Sequence, residues 1–184
     1  GWEGAAGIDE TAEAQRLAAA MGADCHRLEM GPGDFWRLAP RIAASIDDPT
    51  ADAAILPTWM LGKAAAGSLK VTLCGEGADE LFGGYSRYRK RRAPWRWLTR
   101  PPRSKGVLGD FGDWRRGIAA AEAAETPGRS AVQAAQAVDI AEWLPHDLLL
   151  KLDRCLMAHG VEGRTPFLDP LVAEFAFRLP DASK

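Results

Sequence analysis

The feature that most constrains this chain is a short β-branched run that ends in a glycine-rich acidic turn. Residues 69–74 (LKVTLC) have the length and composition of a strand, and Gly75 ends it. Helical patterns stand on both sides of this run. A strand between helices is the order of an α/β protein, in which helices cover a parallel sheet. Because ligands of such sheets bind beyond the carboxyl ends of the strands, the residues after Cys74 are candidate ligand contacts.

The rest of the chain is predicted to be largely helical. A short strand is expected over residues 24–30, and no strand is expected beyond Asp113. The first helix has Asp9 as its expected N-cap. The sequence therefore predicts an α/β part that passes into a mostly helical part. The periodic apolar patterns predict helices over residues 8–21, 34–46, 53–66, 113–124, 131–143, 147–158 and 169–178.

Composition excludes several classes of protein. With 184 residues, 47% of them hydrophobic, and a net charge of −2, the chain is expected to fold around a core. It has no apolar run of about 18 residues and no visible signal peptide, so a cytoplasmic location is expected. The three cysteines form no CxxC pair, which favours small buried free thiols in a reducing compartment and disfavours a Cys/His metal site. The missing initiator Met suggests a fragment.

A basic stretch covers residues 84–116, with 11 basic and 2 acidic side chains. Its densest part is 87–92, and Trp95 and Trp97 follow. A solvated helix face followed by a proline-rich loop is the interpretation we favour. Two others stay open. Arginines and tryptophans could bind nucleic acid, or the positive charge could attract a polyanionic small substrate such as ATP.

The turn after Cys74 carries three carboxylates within five residues, Glu76, Asp79 and Glu80. Gly75 and Gly77 allow a tight turn and a close approach of backbone to a ligand. Carboxylates repel a bare phosphate, but Mg²⁺ accepts one or two carboxylates together with phosphate oxygens. The spacing is equally consistent with a helix N-terminus that acidic residues stabilise through the helix dipole.

A second informative stretch covers residues 148–169. Its apolar residues follow the pattern of a buried helix face, yet it also holds Asp153, Arg154, Glu162 and Arg164. An internal network of ion pairs is the favoured interpretation, because buried charges must be paired. A carboxylate held there could instead orient or deprotonate an attacking amine. His159 is expected to be structural.

At these two stretches the sequence resembles the synthetase domain of glutamine-hydrolysing asparagine synthetases. Weaker matches lie at Asp9-Glu10, Ala14, Ala18, Gly22, His26 and Leu179-Pro180. The resemblance implies an adenine nucleotide α-hydrolase-like fold. It also implies a two-step reaction, in which a substrate carboxylate attacks ATP to give an acyl-adenylate and ammonia then forms the amide. The specific matches are GEGADELFGGY at residues 75–85, together with Asp153, Met157-Ala158 and EGRTPFLD at residues 162–169.

The resemblance also implies roles for six residues. Asp79 would be a magnesium ligand, and Glu76 would serve adenylate formation or orient the attacking amine. Cys74, Gly75 and Gly77 would bind ATP through the backbone. Glu162 matches a motif glutamate that is either catalytic or structural, and we expect structural support. The implied cofactors and substrates are ATP, Mg²⁺, aspartate and ammonia from glutamine.

Three family features are missing from residues 1–184, namely the pyrophosphate loop Ser-Gly-Gly-x-Asp-Ser, the glutaminase domain and the catalytic lysine. Lys184 is not equated with that lysine. We therefore expect one partial synthetase domain, inactive alone, with an α/β part (1–85), a variable basic region (86–145) and a helical part (146–184). Neither nucleic acid nor membrane is an expected partner, and homodimer formation is left open.

Three alternatives concern the function, and the third is a remnant with a structural role only. A relative acting on another carboxylate, of the β-lactam or peptide-macrolactam type, is the first, although Glu76 favours the asparagine type because the β-lactam branch tends to carry tyrosine there. The second is a non-catalytic nucleic-acid-binding module that uses the basic stretch.

Overall fold

The computed structural model describes residues 1, 11–48, 50, 52–91 and 114–184, and these form two compact units. Unit 1 comprises Gly1–Thr72 and Lys151–Glu162, and unit 2 comprises Leu73–Leu150 and Gly163–Lys184. The elements in chain order are α1 (Thr11–Ala20), α2 (Pro32–Ser45), α3 (Ile55–Ala65), β1 (Val71–Leu73), α4 (Ala78–Phe82), α5 (Ser86–Arg91), α6 (Trp114–Glu125), α7 (Ala131–Val138), a π-helical stretch (Asp139–Leu149), α8 (Leu150–Met157), β2 (Glu162–Arg164), a 3-10 turn (Pro166–Leu168), α9 (Pro170–Arg178) and a second 3-10 turn (Asp181–Ser183).

All seven predicted helices are present within the described residues, with shifted ends. Asp9, the expected N-cap of the first helix, lies outside the described residues, as does Asp113. Local capping explains several boundaries. The Ser130 hydroxyl accepts the Gln133 N–H at 3.1 Å at the start of α7, and the Asp169 carboxylate accepts the Leu171 N–H at 2.9 Å at the start of α9. The predicted gap between residues 143 and 147 is instead continuous π-helix that includes Pro145.

Strands β1 and β2 form a parallel pair. The Glu162 N–H donates to the Lys70 carbonyl at 2.8 Å, and the Cys74 N–H donates to the Arg164 carbonyl at 2.7 Å, so the partner numbers rise together. The predicted strand at residues 69–74 is thus confirmed. The prediction of no strand beyond Asp113 is wrong, because β2 exists. Its sequence, Glu-Gly-Arg, has low strand propensity, and pairing with β1 determines its conformation.

The predicted strand over residues 24–30 is also wrong. Residues 23–29 have no regular structure, and only Met30 makes a bridge. The segment does make strand-like hydrogen bonds at its end. The Gly1 amino group donates to the Leu28 carbonyl at 2.7 Å, and the Met30 N–H donates to the Gly1 carbonyl at 2.9 Å. Within the described residues the segment has no longer partner to pair with.

The core of unit 1 packs α2 and α3 around Cys155 of α8. The Cys155 thiol is fully buried, lies 3.6 Å from the Ile55 carbonyl, and burial raises its pKa to about 11. His159 packs edge-on against Trp59, with ring centroids 4.3 Å apart, and burial lowers its pKa. This is the structural role expected of His159. All three cysteines are free thiols, as predicted. The predicted burial is correct for Cys155 alone, because Cys74 is half-buried and Cys25 is exposed.

The predicted network of residues 148–169 is not internal, because Asp153, Glu162 and Arg164 are exposed. Arg154 does form ion pairs, with Asp47 at 2.7 Å and with Asp153 at 3.9 Å. The buried ion pair of unit 1 is instead made by Lys151, whose ammonium group donates to Asp52. The apolar flanks of Lys151 gave no indication of a partner 99 residues away.

Unit 2 has a core of Tyr88, Val132 and Ala135, with Tyr85 packed against it. Gln136 is fully buried beside this core. Its amide Nε2 donates to two carbonyls of α4, those of Glu80 at 2.6 Å and Leu81 at 2.9 Å. Within the part of the chain that the structure describes, no helix is long and apolar enough to cross a membrane.

Gln136→Leu is expected to lower the free energy of unfolding by about 2–4 kcal/mol, because two buried carbonyls lose their donor and each costs about 1–3 kcal/mol. Urea titration followed by circular dichroism measures this. The control is Gln15→Leu at an exposed position of α1, where about 0.5 kcal/mol or less is expected. Equal effects of the two changes would contradict the prediction.

The Lys151–Asp52 pair predicts a pH-dependent stability. Burial alone would raise the pKa of Asp52, but hydrogen bonds from Lys151 and from the Ala54 N–H outweigh it and hold the pKa below its ordinary 3.8. The carboxylate therefore stabilises the fold at neutral pH, and this contribution is lost as the pH falls below 3.8 through the lowered pKa.

Asp52→Asn is accordingly expected to cost about 1–2 kcal/mol at pH 7, with the difference from the unchanged chain shrinking toward pH 3. Denaturant titrations across this pH range measure the difference, with Asp48→Asn at an exposed position as control. A difference that stays constant with pH would count against a charged Asp52.

Candidate functional site

The acidic turn follows β1 and contains α4, a helix of only five residues. Gly77 precedes α4 with φ of 92°, and Gly83 ends it with φ of 71°, both in the left-handed region that favours glycine. A Cβ atom on Gly77 would lie 2.3 Å from Cδ2 of Leu168. The fold therefore requires glycine at position 77 for both backbone and packing reasons.

Gly75 has a different environment. It is exposed, its φ is not in the left-handed region, and a Cβ atom built on it would meet no atom within 4 Å. The space beside its backbone is open, as a close approach by a ligand requires.

The three carboxylates of the turn point into different surroundings. Asp79 is exposed, Glu76 is half-buried and Glu80 is 1% exposed. Glu80 accepts a hydrogen bond from the Tyr85 hydroxyl at 2.7 Å. Burial and this bond raise the pKa of Tyr85 well above its ordinary value, so the hydroxyl stays protonated as the donor. The Glu80 carboxylate is thus held in the interior by a hydrogen bond. Neither a metal ligand nor a surface group that stabilises the helix dipole would need to be buried in this way.

The side chain of Gln136, in α7, stabilises the turn through hydrogen bonds. Gln136 bonds the carbonyls of Glu80 and Leu81, which the short helix α4 cannot satisfy by itself. Lys184 in turn donates to Oε1 of Gln136 at 3.0 Å and to the Phe177 carbonyl at 3.2 Å. The direction of α4 is therefore fixed by bonds to residues more than 50 positions away in the sequence.

The basic stretch begins just beyond the turn, and two of its arginines lie within unit 2. The Arg87 guanidinium lies 4.1 Å from the ring centre of Tyr85 and 4.3 Å from that of Trp143. Its Nε donates to Asp139 at 3.0 Å. Arg91 pairs with Glu122. For these two arginines the predicted solvated face is wrong, because acidic and aromatic partners draw them inward. Residues 92–113, with Trp95 and Trp97, lie outside the described residues.

Cys74 stands at the end of β1. Its N–H already donates to the Arg164 carbonyl, so this group is engaged in the sheet. Burial, with a smaller effect of the nearby Glu76 carboxylate, raises the pKa of the Cys74 thiol, which is therefore neutral near pH 7. The expected backbone contacts of Cys74, Gly75 and Gly77 with ATP stay predictions.

Five of the six predicted site residues are brought together in unit 2, on one turn: Cys74, Gly75, Glu76, Gly77 and Asp79. Glu162 belongs to unit 1, where it is the exposed first residue of β2 and its N–H pairs with Lys70. Its role stays a prediction. Sequence reasoning missed Gln136 and the Glu80–Tyr85 bond. The Gly83-Gly84 doublet was a visible signal of close packing at the end of α4.

The side-chain oxygens of the turn determine which kind of metal site it could form. Among the described residues, no three His, Cys, Asp or Glu side chains form a metal cage. Asp79 offers an exposed carboxylate, a hard oxygen ligand of the kind that Mg²⁺ prefers. Since Mg²⁺ is commonly held by one or two carboxylates plus substrate phosphates, this turn fits a shared metal–phosphate site and does not fit a closed protein cage.

Comparisons with known proteins agree with the motifs. The family model described as asparagine synthase matches residues 1–184. A protein of Bacillus subtilis named asparagine synthetase (glutamine-hydrolyzing) 1 is 30% identical, over 97% of this chain and 35% of its own length. A protein of Mycobacterium tuberculosis, provisionally named asparagine synthetase (glutamine-hydrolyzing), is 31% identical, over 97% of this chain and 34% of its own.

The chain thus spans about a third of the length of these curated relatives. The match covers both the acidic turn and the stretch at residues 162–169. This chain belongs to the asparagine synthase family.

Proposed function

We propose that the chain is part of the synthetase domain of an ATP-dependent ligase that converts aspartate to asparagine. The observation that carries the proposal is the exposed Asp79 carboxylate, which stands on the turn just beyond the carboxyl end of β1. Curated relatives of the chain are named asparagine synthetases. Because the chain spans about a third of them, the activity is proposed for the longer protein.

The proposed reaction has two steps. A carboxylate oxygen of aspartate attacks the α-phosphorus of ATP, the bond to the β-phosphate oxygen breaks, and pyrophosphate leaves. Ammonia, derived from glutamine, then attacks the acyl carbon of the adenylate. AMP leaves, the nitrogen loses a proton, and the amide is formed.

The main electrostatic obstacle to the first step is repulsion between anions. A carboxylate must approach a triphosphate, and negative charge builds up on the departing pyrophosphate. Mg²⁺ supplies the positive charge that offsets this repulsion when it is bound. Asp79 would hold the ion, while Glu80 stays bonded to Tyr85 and does not add a further negative charge at the surface.

Gly75 and Glu76 have supporting roles in the proposal. The open space beside Gly75 allows the nucleotide to approach the backbone without a side-chain clash. Glu76, half-buried beside Cys74, would orient the attacking ammonia or accept its proton. The neutral Cys74 thiol is not a nucleophile in this scheme.

We further infer that the complete domain has an adenine nucleotide α-hydrolase-like parallel sheet. Val71 and Leu73 of β1 are 44% and 74% exposed, although parallel strands are normally covered on both faces. Both side chains lie on one face of the strand, so their exposure favours further structure packed on this face in the whole protein, as helices cover the faces of such a sheet. Such a sheet would place the acidic turn at the edge where ligands bind.

Asp79→Asn in the full-length protein is expected to reduce aspartate-dependent exchange of pyrophosphate into ATP by about 100-fold or more, because a charged ligand of the metal–phosphate complex is lost. Exchange of labelled pyrophosphate with Mg²⁺ present measures the first step alone. Glu142→Gln, at an exposed position of the same unit, is the matched control and should leave exchange unchanged.

The same assay tests the substrate. Exchange that depends on another carboxylic acid and not on aspartate would keep the adenylation chemistry and replace the proposed substrate. An unchanged exchange rate in Asp79→Asn would exclude Asp79 as a metal ligand, and no exchange with any carboxylate would overturn the ligase proposal.

A further inference from the structure

Gly84 lies five residues after Asp79, where the chain turns back across the end of α4. Both Gly83 and Gly84 direct their N–H groups to the Asp79 carbonyl, the latter at 3.0 Å. A Cβ atom built on Gly84 would lie 1.9 Å from Oδ1 of Asp79, 2.9 Å from its Cγ and 3.3 Å from its Cα. The Asp79 carboxylate thus occupies the space that any other residue at position 84 would fill.

We propose that Gly84 is a positioning residue that determines the direction of the Asp79 carboxylate. This inference rests on the proposed function, in which Asp79 holds the metal–phosphate complex. An added methyl group would force the carboxylate into another rotamer, away from the direction seen in the structure.

The conformation of Gly84 does not account for glycine at this position. The φ angle of Gly84 is not positive, so any L-residue could adopt this backbone conformation. Gly77 differs in this respect, because its φ is 92° and an added Cβ would strike the Leu168 side chain. Space for the Asp79 side chain is therefore the requirement that remains at position 84.

Most of the strain of an added methyl group would be relieved by rotation of the Asp79 side chain, because the two shortest contacts are with its Oδ1 and Cγ. The 3.3 Å contact with the Asp79 Cα requires a backbone shift of only a few tenths of an ångström. Asp79 and Gly84 are both exposed, so the carboxylate can rotate into solvent at little cost to folding. The backbone of α4 is fixed by the two Gln136 bonds and, through Glu80, by the Tyr85 hydroxyl. Gly84→Ala therefore separates the orientation of the carboxylate from the stability of the fold.

The test uses the full-length protein in four forms, namely unchanged, Gly84→Ala, Asp79→Ala and the double variant. Binding of Mn²⁺ with pyrophosphate, followed by electron paramagnetic resonance, reports on the metal site without turnover. Melting temperature reports on folding, and pyrophosphate exchange reports on adenylation. Gly117→Ala is the control, since a Cβ there meets no atom within 4 Å and its φ is not positive.

Gly84→Ala is expected to weaken Mn²⁺–pyrophosphate binding about 10-fold and to slow exchange about 10- to 100-fold, since a misplacement of about 1 Å costs on this order. The melting temperature should stay within about 2–4 °C of that of the unchanged protein. In the Asp79→Ala background the same change should have less than about a 2-fold effect on binding, because no carboxylate is left to displace.

Equal effects of Gly84→Ala in both backgrounds, or no effect on binding in either, would overturn the inference. If Gly84→Ala unfolds the protein, the inference requires that Asp79→Ala restore folding, and failure to restore it also overturns the inference. These outcomes are distinct from failure of the proposed function, which is seen as absent exchange with every carboxylic acid in the unchanged protein.

Discussion

The two hydrogen bonds from Gln136 to α4 are the interaction on which the geometry of the acidic turn depends. A helix of five residues leaves the carbonyls of its last turn without partners in the helix, and isolated helices of this length do not form in water. The buried amide of Gln136 supplies donors for the Glu80 and Leu81 carbonyls at once. The turn therefore keeps its conformation because a residue of α7 lies beneath it, and its own helix propensity contributes little.

Two of the three carboxylates of the turn, those of Glu80 and Asp79, differ in burial. Glu80 points inward, where the Tyr85 hydroxyl satisfies it and where hydrogen bonds are stronger than in water. Asp79, one residue earlier, points outward and is exposed. Adjacent residues of a helix face directions about 100° apart, so a single acidic pair serves both the interior and the surface. A sequence motif that looks uniformly acidic thus contains a buried hydrogen-bond acceptor, Glu80, next to an exposed carboxylate, Asp79.

The sequence was sufficient to predict elements whose conformation is determined by local residue patterns. It was not sufficient to predict elements and contacts that depend on residues far away in the chain. The strand at residues 69–74 and its glycine turn were predictable, because β-branched residues and glycines act locally. Strand β2 was not, since Glu-Gly-Arg becomes a strand only through pairing with β1. The Lys151–Asp52 pair spans 99 residues, and the Gln136 bonds span more than 50. No local pattern encodes such contacts. The resemblance to a family indicated candidate site residues, but it did not indicate the side chains that hold the turn in place.

The glycines of the turn show how one motif can combine two physical requirements. Gly77 meets a demand of the fold, because its φ is positive and Leu168 packs against it. Gly84 has an ordinary φ, and the space beside it is filled by the carboxylate of Asp79. Sequence alone does not distinguish these two glycines, since both simply lack a side chain. The structure distinguishes them by which atom an added Cβ would strike. In the first case it is the side chain of the half-buried Leu168, and in the second it is the proposed metal ligand itself.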